Sequence, residues 1–241
     1  MVEQVHEHWD GYAILVSFVL SFMGAYSTVG LAEQHRIAGS LKPKLITQHM
    51  CLVLMSISLG GGGIWCMHFV VMTAHTLHDE NHNIIDIHYD VMESILSLIV
   101  CVMCVYLGLY ISSQDKMFSR DKEEIFKMIL EEAKRDSLQA VRSKAYLLKI
   151  ALLRGTGPVM VGGVISGGGV CVMHYIGMMS MRAHLHVHWD IGVVAASVVI
   201  AVVAATAAFW ILFRLLALYP GYESLRLLSS LVAALAVCGM L

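Results

Sequence analysis

The chain has 241 residues, of which 58% are hydrophobic and only 14% are charged, and its mean hydropathy is +0.71. Soluble globular domains carry about 25% charged residues, so this composition excludes an ordinary soluble domain. The formal net charge of −2 gives no reason to expect nucleic acid as a partner. We therefore expect a polytopic membrane protein in contact with the lipid bilayer.

The apolar residues fall in blocks that are long enough to cross a membrane, which takes about 20 residues in a helix. We predict an all-α fold, a polytopic membrane helix bundle of repeated helix hairpins with about six spans. The predicted spans are residues 11–33, 46–73, 91–112, 157–181, 191–217 and 225–241.

The basic residues predict how these spans are oriented. With the N-terminus outside, every one of the 16 Lys and Arg except Arg182 lies on the inner side, as the positive-inside rule requires. All of the 13 His except His35 and His49 then lie at or beyond the outer ends of the helices. We expect a multi-pass protein of the plasma membrane with its N-terminus outside.

A His–aromatic–Asp triplet opens three of the spans, which shows that the chain is internally repetitive. The triplets begin at His8, His88 and His188, and each histidine is followed nine residues later by a serine: Ser17, Ser97 and Ser197. We expect each aspartate to cap its helix and each aromatic ring to lie in the interfacial belt. A metal-ligating or supporting role for the triplet histidines remains open.

Two glycine-rich blocks, each ending an ascending span, carry the main candidate site. They read GGGIWCMHFVVM at residues 61–72 and GGGVCVMHYIGM at residues 167–178. On an α-helix each histidine shares a face with the residues four and seven positions later. The neighbouring Met67 and Met173 point elsewhere and can reach an adjacent helix.

The residue types in these blocks are soft metal ligands. Imidazole and thioether together favour copper, especially Cu(I), over ions that prefer oxygen, and a histidine within a membrane is usually functional. The candidate metal ligands are Met67, His68, Met72, His75, Met173, His174, Met178 and Met181. The alternative interpretation is helix packing with hydrogen-bonded histidines.

The glycines of both blocks predict that the two motif helices approach each other closely. Close approach brings the two His-Met faces into one shared site. We therefore expect a bulky residue at Gly62 or Gly168 to hold the helices apart and to lower metal occupancy.

The rest of the chain is divided by one polar segment. We assign residues 1–112 to a first membrane repeat, 113–156 to a charged cytoplasmic segment, and 157–241 to a second repeat with a truncated third one. In that third repeat Met240 holds the motif's Met position and Leu241 stands where the histidine would be. We expect the third site to be missing or cut off.

The polar segment carries apolar residues at helical spacing, which predicts an amphipathic helix that lies on a surface or self-associates. These residues are Ile125, Ile129, Leu138, Val141, Ala145 and Leu148. All six cysteines lie in predicted spans, where we expect them to pack as small hydrophobes without forming disulfides.

The motifs MHF at 67–69 and MHY at 173–175, each with a Met five residues after the first, resemble the MHYT domain, a membrane sensory module. The resemblance covers essentially the whole chain. It implies helix hairpins, usually seven spans with three motifs, a copper site near the outer face, and sensing of a diatomic gas such as O₂, CO or NO. Carried over by motif match, the ligands are Met67, His68, Met72, Met173, His174 and Met178. The chain departs from the family pattern at Phe69 and Val71, where Tyr and Gly are preferred.

We therefore predict a membrane sensor and signalling module that binds copper near its outer face. Gas or redox chemistry at the metal is expected to shift the packing of the glycine-rich helices, and the segment 113–156 is expected to transmit that shift. Many bacterial relatives join this module to cyclic-dinucleotide enzymes, and no such segment is recognisable here, so we expect that the protein is not an enzyme. Its downstream partner is unknown, and a homo-oligomer remains open.

Two other function classes remain open, and a membrane oxidoreductase is a weaker third. One is a bis-histidine haem protein with His68 and His174 as axial ligands. The other is a copper transport or delivery protein in which the outer loop 75–88 captures ions. That function needs a path of ligands to the inner side, for which the sequence offers His49, Met50, Cys51 and Met55.

Overall fold

The computed structural model describes residues 6–38, 44–78, 88–118, 122–136, 144–182, 190–219 and 221–239. Met240 and Leu241, and with them the third motif, lie outside the described residues. The same holds for His188 and Trp189 of the last triplet and for most of the loop 75–88. Of His75 only the backbone is described.

The described residues form a bundle of helices, which confirms the all-α membrane fold. The helices are α1 (Gly11–Ala38), α2 (Lys44–Ser56), the π-helix π1 (Ile57–Cys66), α3 (Met67–Ala74), α4 (Val91–Ser113), α5 (Lys122–Asp136), α6 (Lys144–Leu153), α7 (Gly157–Met179), α8 (Ile191–Trp210), the π-helix π2 (Ile211–Leu215), α9 (Leu216–Leu218) and α10 (Glu223–Cys238).

Five of the six predicted spans are long and apolar enough to cross a bilayer, and the protein is a multi-pass membrane protein. Two of these spans are composite, because α2, π1 and α3 run on as one helix and so do α8, π2 and α9. The sixth span, α10, has 16 described residues, or about 24 Å at the helical rise. That is shorter than the hydrocarbon core of about 30 Å.

The aspartates of the three triplets cap the helices that follow, as the sequence predicted. Asp10 accepts a hydrogen bond from the backbone N–H of Tyr12 at 2.9 Å. Asp90 and Asp190 each accept from the N–H groups two and three residues later and have extended backbone conformations. These carboxylates satisfy helix N–H groups that otherwise lack a partner.

Two short antiparallel sheets join the starts and ends of the motif hairpins. Strand β1 (His6–Trp9) pairs with β2 (His75–His78), and β3 (His88–Tyr89) pairs with β4 (Met181–Arg182). The register is equivalent in both sheets, since Trp9 lies opposite His75 and Tyr89 lies opposite Met181. These strands mark the motif end of the bundle, where α3 and α7 terminate.

The strands correct one part of the predicted motif geometry. The helix α3 ends at Ala74 and α7 ends at Met179. His75 and Met181, seven residues after the motif histidines, therefore stand on strands, and the expectation that they share a helical face with His68 and His174 is wrong.

The spans pack around one core in chain order. Each neighbours the next one along the chain, and α10 closes the ring by packing against both α8 and α1. The interior holds fully buried side chains such as Met55, Val105, Leu109 and Phe213. The outer surface is apolar as well, with Leu15, Ile99, Met103 and Val199 exposed, as expected where lipid replaces water around the bundle.

Close contacts between helices occur at glycines. Only some of these are the glycines that the sequence indicated. A Cβ at Gly24 of α1 would stand 2.6 Å from the Cα of Gly63 in π1, and a Cβ at Gly167 of α7 would stand 2.6 Å from the Cα of Val202 in α8. Gly62 and Gly168 have no atom within 4 Å of a Cβ. The expectation that bulky residues at these two positions separate the helices is therefore wrong.

The polar segment forms two helices, so the expectation of one amphipathic helix is wrong. The helices α5 and α6 pack against each other at the charged end of the bundle, opposite the motif end. Ala145 and Leu148 are exposed, while Leu138 and Val141 lie outside the described residues. The cluster that α5, α6 and the turn after α4 bury consists of Met117, Ile125, Ile129, Ala133, Ile150 and Ala151.

Candidate metal centre

Two imidazoles from different helices lie side by side near the motif end. His68 belongs to the first turn of α3 and His174 to the last turns of α7. Their ring centroids are 4.9 Å apart, with an angle of 61° between the ring planes. The structure thus brings together the two histidines that the repeated motif singled out.

The His68 ring is buried without compensation. Its exposed fraction is 2%, and neither Nδ1 nor Nε2 has a hydrogen-bond partner among the described residues. A buried polar group without a partner costs about 1–3 kcal/mol, so natural proteins rarely leave one without a functional reason. One nitrogen of a neutral imidazole carries a lone pair. In His68 this nitrogen accepts no hydrogen bond from the described residues, so it is available to bind a metal ion.

Gly177 of α7 makes room for this ring. A Cβ at position 177 would stand 2.9 Å from Nε2 of His68 and 3.3 Å from its Cδ2. The corresponding residue of the first motif is Val71, one of the two positions where the chain departs from the family pattern. The second copy therefore supplies the gap into which the first copy's histidine fits.

A small cavity of about 30 Å³ connects the two rings with the neighbouring sulfur atoms. Four predicted ligands line it: Met67, His68, Met173 and His174. Both methionines are 2% exposed. Among the described residues no three His, Cys, Asp or Glu side chains cluster closely enough to hold a metal. A metal at this site would therefore depend on the thioether sulfurs.

The other predicted ligands are not part of this cavity. Met72 and Met178 are half-buried on α3 and α7 and do not line it. Met181 is on β4, and the side chain of His75 lies outside the described part of the chain. The spacing from histidine to the later methionine thus reflects helix repetition more than a common cavity.

Sequence reasoning missed Cys171, Tyr175 and Ser197, which also line the cavity. Cys171 lies three residues before His174, so helical spacing already placed both on one face. The Sγ–H of Cys171 points at the carbonyl oxygen of Ser197 at 3.9 Å. All six cysteines are free, as expected for small hydrophobic residues inside spans.

Two of the serines that follow the triplets hold aromatic side chains next to the motif histidines. The Trp65 Nε1–H donates to Ser97 Oγ at 2.9 Å, and the Tyr175 hydroxyl lies 2.6 Å from Ser197 Oγ. The second and third triplets thus fix side chains next to the motifs through these serines. Ser17 of the first triplet donates to the backbone oxygen of Ile14 at 2.7 Å instead, so this contact accounts for two of the three recurring serines.

His88, the triplet histidine whose side chain the structure describes, does not belong to the metal site. His88 is exposed and does not line the cavity. Its neighbour Tyr89 packs its ring against Phe69, with centroids 5.8 Å apart. Burial raises the pKa of the Tyr89 phenol, so this group stays neutral and uncharged beside the motif at physiological pH.

The motif segments match a known family. Residues 61–120 and 167–219 match the MHYT family, which is described as a bacterial signalling protein N terminal repeat. The chain carries two MHYT repeats. Each matched segment begins at a glycine block and continues through the span that follows, so the resemblance drawn from the motif is confirmed.

Two curated proteins of Pseudomonas aeruginosa strain PAO1 are similar to this chain. The cyclic di-GMP phosphodiesterase NbdA is 24% identical over 235 residues, which cover 94% of the chain and 23% of the relative. The bifunctional diguanylate cyclase/cyclic di-GMP phosphodiesterase MucR is 27% identical over 180 residues, which cover 75% of the chain and 20% of the relative. The chain thus spans less than a quarter of the curated relatives it matches. No solved structure matches it.

These names contradict the expectation that the protein is not an enzyme. Both relatives are named for enzymes that make or degrade cyclic di-GMP. The expectation came from the residues of a sensory repeat, and such a repeat makes up only a small part of each relative. MHYT repeats therefore do not exclude an enzyme.

Proposed function

We propose that this chain is the membrane sensory part of a signalling protein, and that it binds one copper ion between α3 and α7. In this proposal His68 and His174 supply imidazole nitrogens, while Met67 and Met173 supply thioether sulfurs. The observation that carries it is the buried His68 ring, whose two nitrogens have no partner among the described residues.

The donor set favours copper over other metals. Imidazole and thioether ligands in a site without carboxylates suit Cu(I), whereas zinc sites recruit thiolate, imidazole or carboxylate in groups of three or four. A haem is a poorer fit, because a cavity of about 30 Å³ between rings 4.9 Å apart leaves no room for a porphyrin.

The signal in this proposal is a small diatomic gas. Because two imidazoles and two thioethers would fill the coordination sphere of Cu(I), such a molecule would bind in place of one weak thioether ligand. The chain's own part is to hold the two imidazoles, to keep water away, and to respond when their spacing changes. Since His68 rests directly on Gly177, any movement of the ring is passed to the backbone of α7.

A route from α7 to the charged end supports a signalling role. The helices α7 and α4 touch through Gly162 and Gly108, and α4 leads into Asp115. There Arg214 of π2, which is 1% exposed, binds Asp115 with 2.6 Å between Nη2 and Oδ2. Arg214 thus places the π-helix π2 at the end of this route, and π-helical turns are frequent at functional sites.

Arg214 also ties the membrane bundle to the polar segment. Its Nη1 donates to the backbone oxygens of Ala151 and Arg154 at the end of α6, at 2.8 and 3.0 Å. The Trp210 Nε1–H donates to the oxygen of Leu152 at 2.8 Å. A shift of α8 and π2 against α4 would therefore move α6. In this proposal the bundle has two packing states, and the signal changes their relative populations.

We further propose that the receiving domain or protein makes or degrades cyclic di-GMP. This step rests on the names of the two relatives alone. The transport alternative has less support from the structure. Met50 is 60% exposed on the outside of the helix bundle, whereas Met55 is fully buried inside it. The inner candidate residues therefore do not line one path to the site.

The proposal is tested with the purified chain in lipid nanodiscs under anaerobic conditions. Titration with Cu(I) against a chromogenic chelator should give one tightly bound copper per chain. Adding CO should then produce one infrared band of a copper-bound carbonyl. Replacing both cavity methionines, Met67→Leu with Met173→Leu, should shift or abolish the band.

The matched control is Met103→Leu, at an exposed position of α4, and it should behave as the wild type. A chain that binds no copper contradicts the metal site. A carbonyl band that is unchanged in the double variant contradicts the thioether ligands.

A further inference from the structure

A second cavity lies in the middle of the bundle, directly next to the metal site. Its free volume is about 70 Å³, against about 30 Å³ for the cavity between the histidines. Every span contributes to its wall. The composite span of α8, π2 and α9 contributes most, and its part includes an alanine-rich stripe with Ala204, Ala205 and Ala208. We call it the central cavity.

The central cavity is lined by apolar residues and by four hydroxyl residues whose protons are all donated to backbone carbonyls. Thr28 donates its hydroxyl proton to the Gly24 oxygen at 2.8 Å, and Ser166 donates to the Cys104 oxygen at 3.5 Å. Ser229 and Ser230 both donate to the oxygen of Arg226. Each hydroxyl proton is thus already used by a backbone carbonyl.

A cavity of this chemistry stays free of water. A buried water needs about 2–4 polar partners, and an apolar cavity of about 150 Å³ in another protein remains dry and binds benzene or xenon. The central cavity offers no free donor among its described lining residues, so its natural occupants are small nonpolar molecules. The bilayer around the bundle is the reservoir in which such molecules dissolve.

A single layer of side chains separates the central cavity from the histidines. Four residues line both cavities: Ile64, Val170, Ala201 and Val237. Ile64 and Val170 stand four residues before His68 and His174, and Val237 stands four residues before the position that corresponds in the third repeat. We call the four shared residues the barrier layer.

The barrier layer is chemically selective. Ile64, Val170 and Val237 are β-branched and stiff about their first side-chain torsion, and none of the four side chains offers a hydrogen bond. Water and ions therefore gain nothing at this layer, while a small nonpolar molecule needs only a minor side-chain movement to pass. The equivalent positions of the three repeats thus converge on one gate between the cavities.

We propose that the central cavity is a binding site for a small nonpolar diatomic gas, which it collects from the bilayer and delivers through the barrier layer to the metal site. The delivery step rests on the proposed function, whereas binding of a nonpolar atom in the cavity does not. The two can therefore fail separately.

Xenon is the probe for the cavity itself. In ¹²⁹Xe saturation-transfer NMR on the chain in lipid nanodiscs, the wild type should show a saturable protein-bound signal. Ala205→Phe fills the cavity and should weaken that signal at least tenfold. The matched control is Ala207→Phe, which adds the same ring at an exposed position of the same helix and should keep the wild-type signal.

Delivery is measured on the copper-loaded chain by CO rebinding after flash photolysis. Ala205→Phe should slow rebinding several-fold while copper content stays equal to that of the wild type. If Ala205→Phe does not fold, Ala233→Leu fills the same cavity from α10 and is used in its place.

Each outcome decides one part of the proposal. A wild type without a saturable xenon signal, which includes a cavity filled by a lipid chain, overturns it, and so does an undiminished signal in the filled variant. If the wild type binds xenon but Ala205→Phe leaves CO rebinding unchanged, the cavity only stores the gas and the delivery step is overturned. A chain that binds xenon but no copper overturns the proposed function and leaves the nonpolar site standing.

Discussion

His68 lies against Gly177, so that a Cβ at position 177 would stand 2.9 Å from Nε2 of the ring. The contact joins the first motif to the second, because α3 provides the histidine and α7 provides the space. It also makes the position of the buried His68 ring depend on the absence of one methyl group at position 177.

Gly177→Ala should therefore turn the His68 ring away from His174 and lower copper occupancy several-fold. The control is Gly168→Ala on the same helix, where a Cβ meets no atom within 4 Å. Both changes raise helix propensity by about 1 kcal/mol, so a difference between them reports the ring and not folding. Equal copper contents measured by mass spectrometry would show that the contact is irrelevant to binding.

The hydrogen bond between Tyr175 and Ser197 should contribute to stability and not to metal binding. The two hydroxyl oxygens are 2.6 Å apart, so Tyr175→Phe should lower the free energy of unfolding by about 1 kcal/mol. Ser97→Ala, which removes the acceptor of Trp65, is the matched change in the other repeat. Loss of copper in Tyr175→Phe alone would contradict this assignment and make the phenol part of the site.

Much of the fold was predictable because lipid imposes simple constraints on a sequence. Long apolar blocks predicted the five helices that are long enough to cross a bilayer, and a bundle in lipid must satisfy its backbone within helices. The aspartates at 10, 90 and 190 were predictable as caps, since the residue type and its position before an apolar run are sufficient.

The geometry of the site was less predictable, for two physical reasons. The predicted faces assumed a regular α-helix, whereas Ile57–Cys66 is a π-helix and both motif helices end before the residue seven positions after the histidine. The sequence also does not reveal helix rotation, so it does not show that Gly63 and Gly167 touch a neighbour while Gly62 and Gly168 do not.

The buried ion pair should hold α6 to the bundle. Asp115→Asn keeps the size of the side chain but leaves the Arg214 guanidinium without its counter-charge, and breaking such a pair costs about 3–5 kcal/mol. We expect faster amide hydrogen exchange in α5 and α6, measured by mass spectrometry.

The control for this change is Glu223→Gln, at a residue that is 62% exposed and paired with Arg226. Exposed pairs contribute about 0–1 kcal/mol, so exchange in α5 and α6 should stay as in the wild type. If Asp115→Asn also leaves exchange unchanged, the pair does not couple α6 to the membrane helices.

The orientation is tested by cysteine labelling in intact cells. His88→Cys, at the motif end, should react with an impermeant maleimide, while Lys127→Cys on α5 should react only after the membrane is permeabilised. Both positions are exposed, so access to the reagent and not burial decides the result. The reverse pattern would place the motif end inside and contradict the positive-inside prediction.

The central claim is that His68 and His174 hold one copper ion together. The most direct measurement is copper per chain, by mass spectrometry on folded protein, for the wild type, His68→Ala and His174→Ala. A shared ion predicts one copper in the wild type and nearly complete loss in either variant. Wild-type copper in both variants, or loss of only half of it in each, would contradict the shared site.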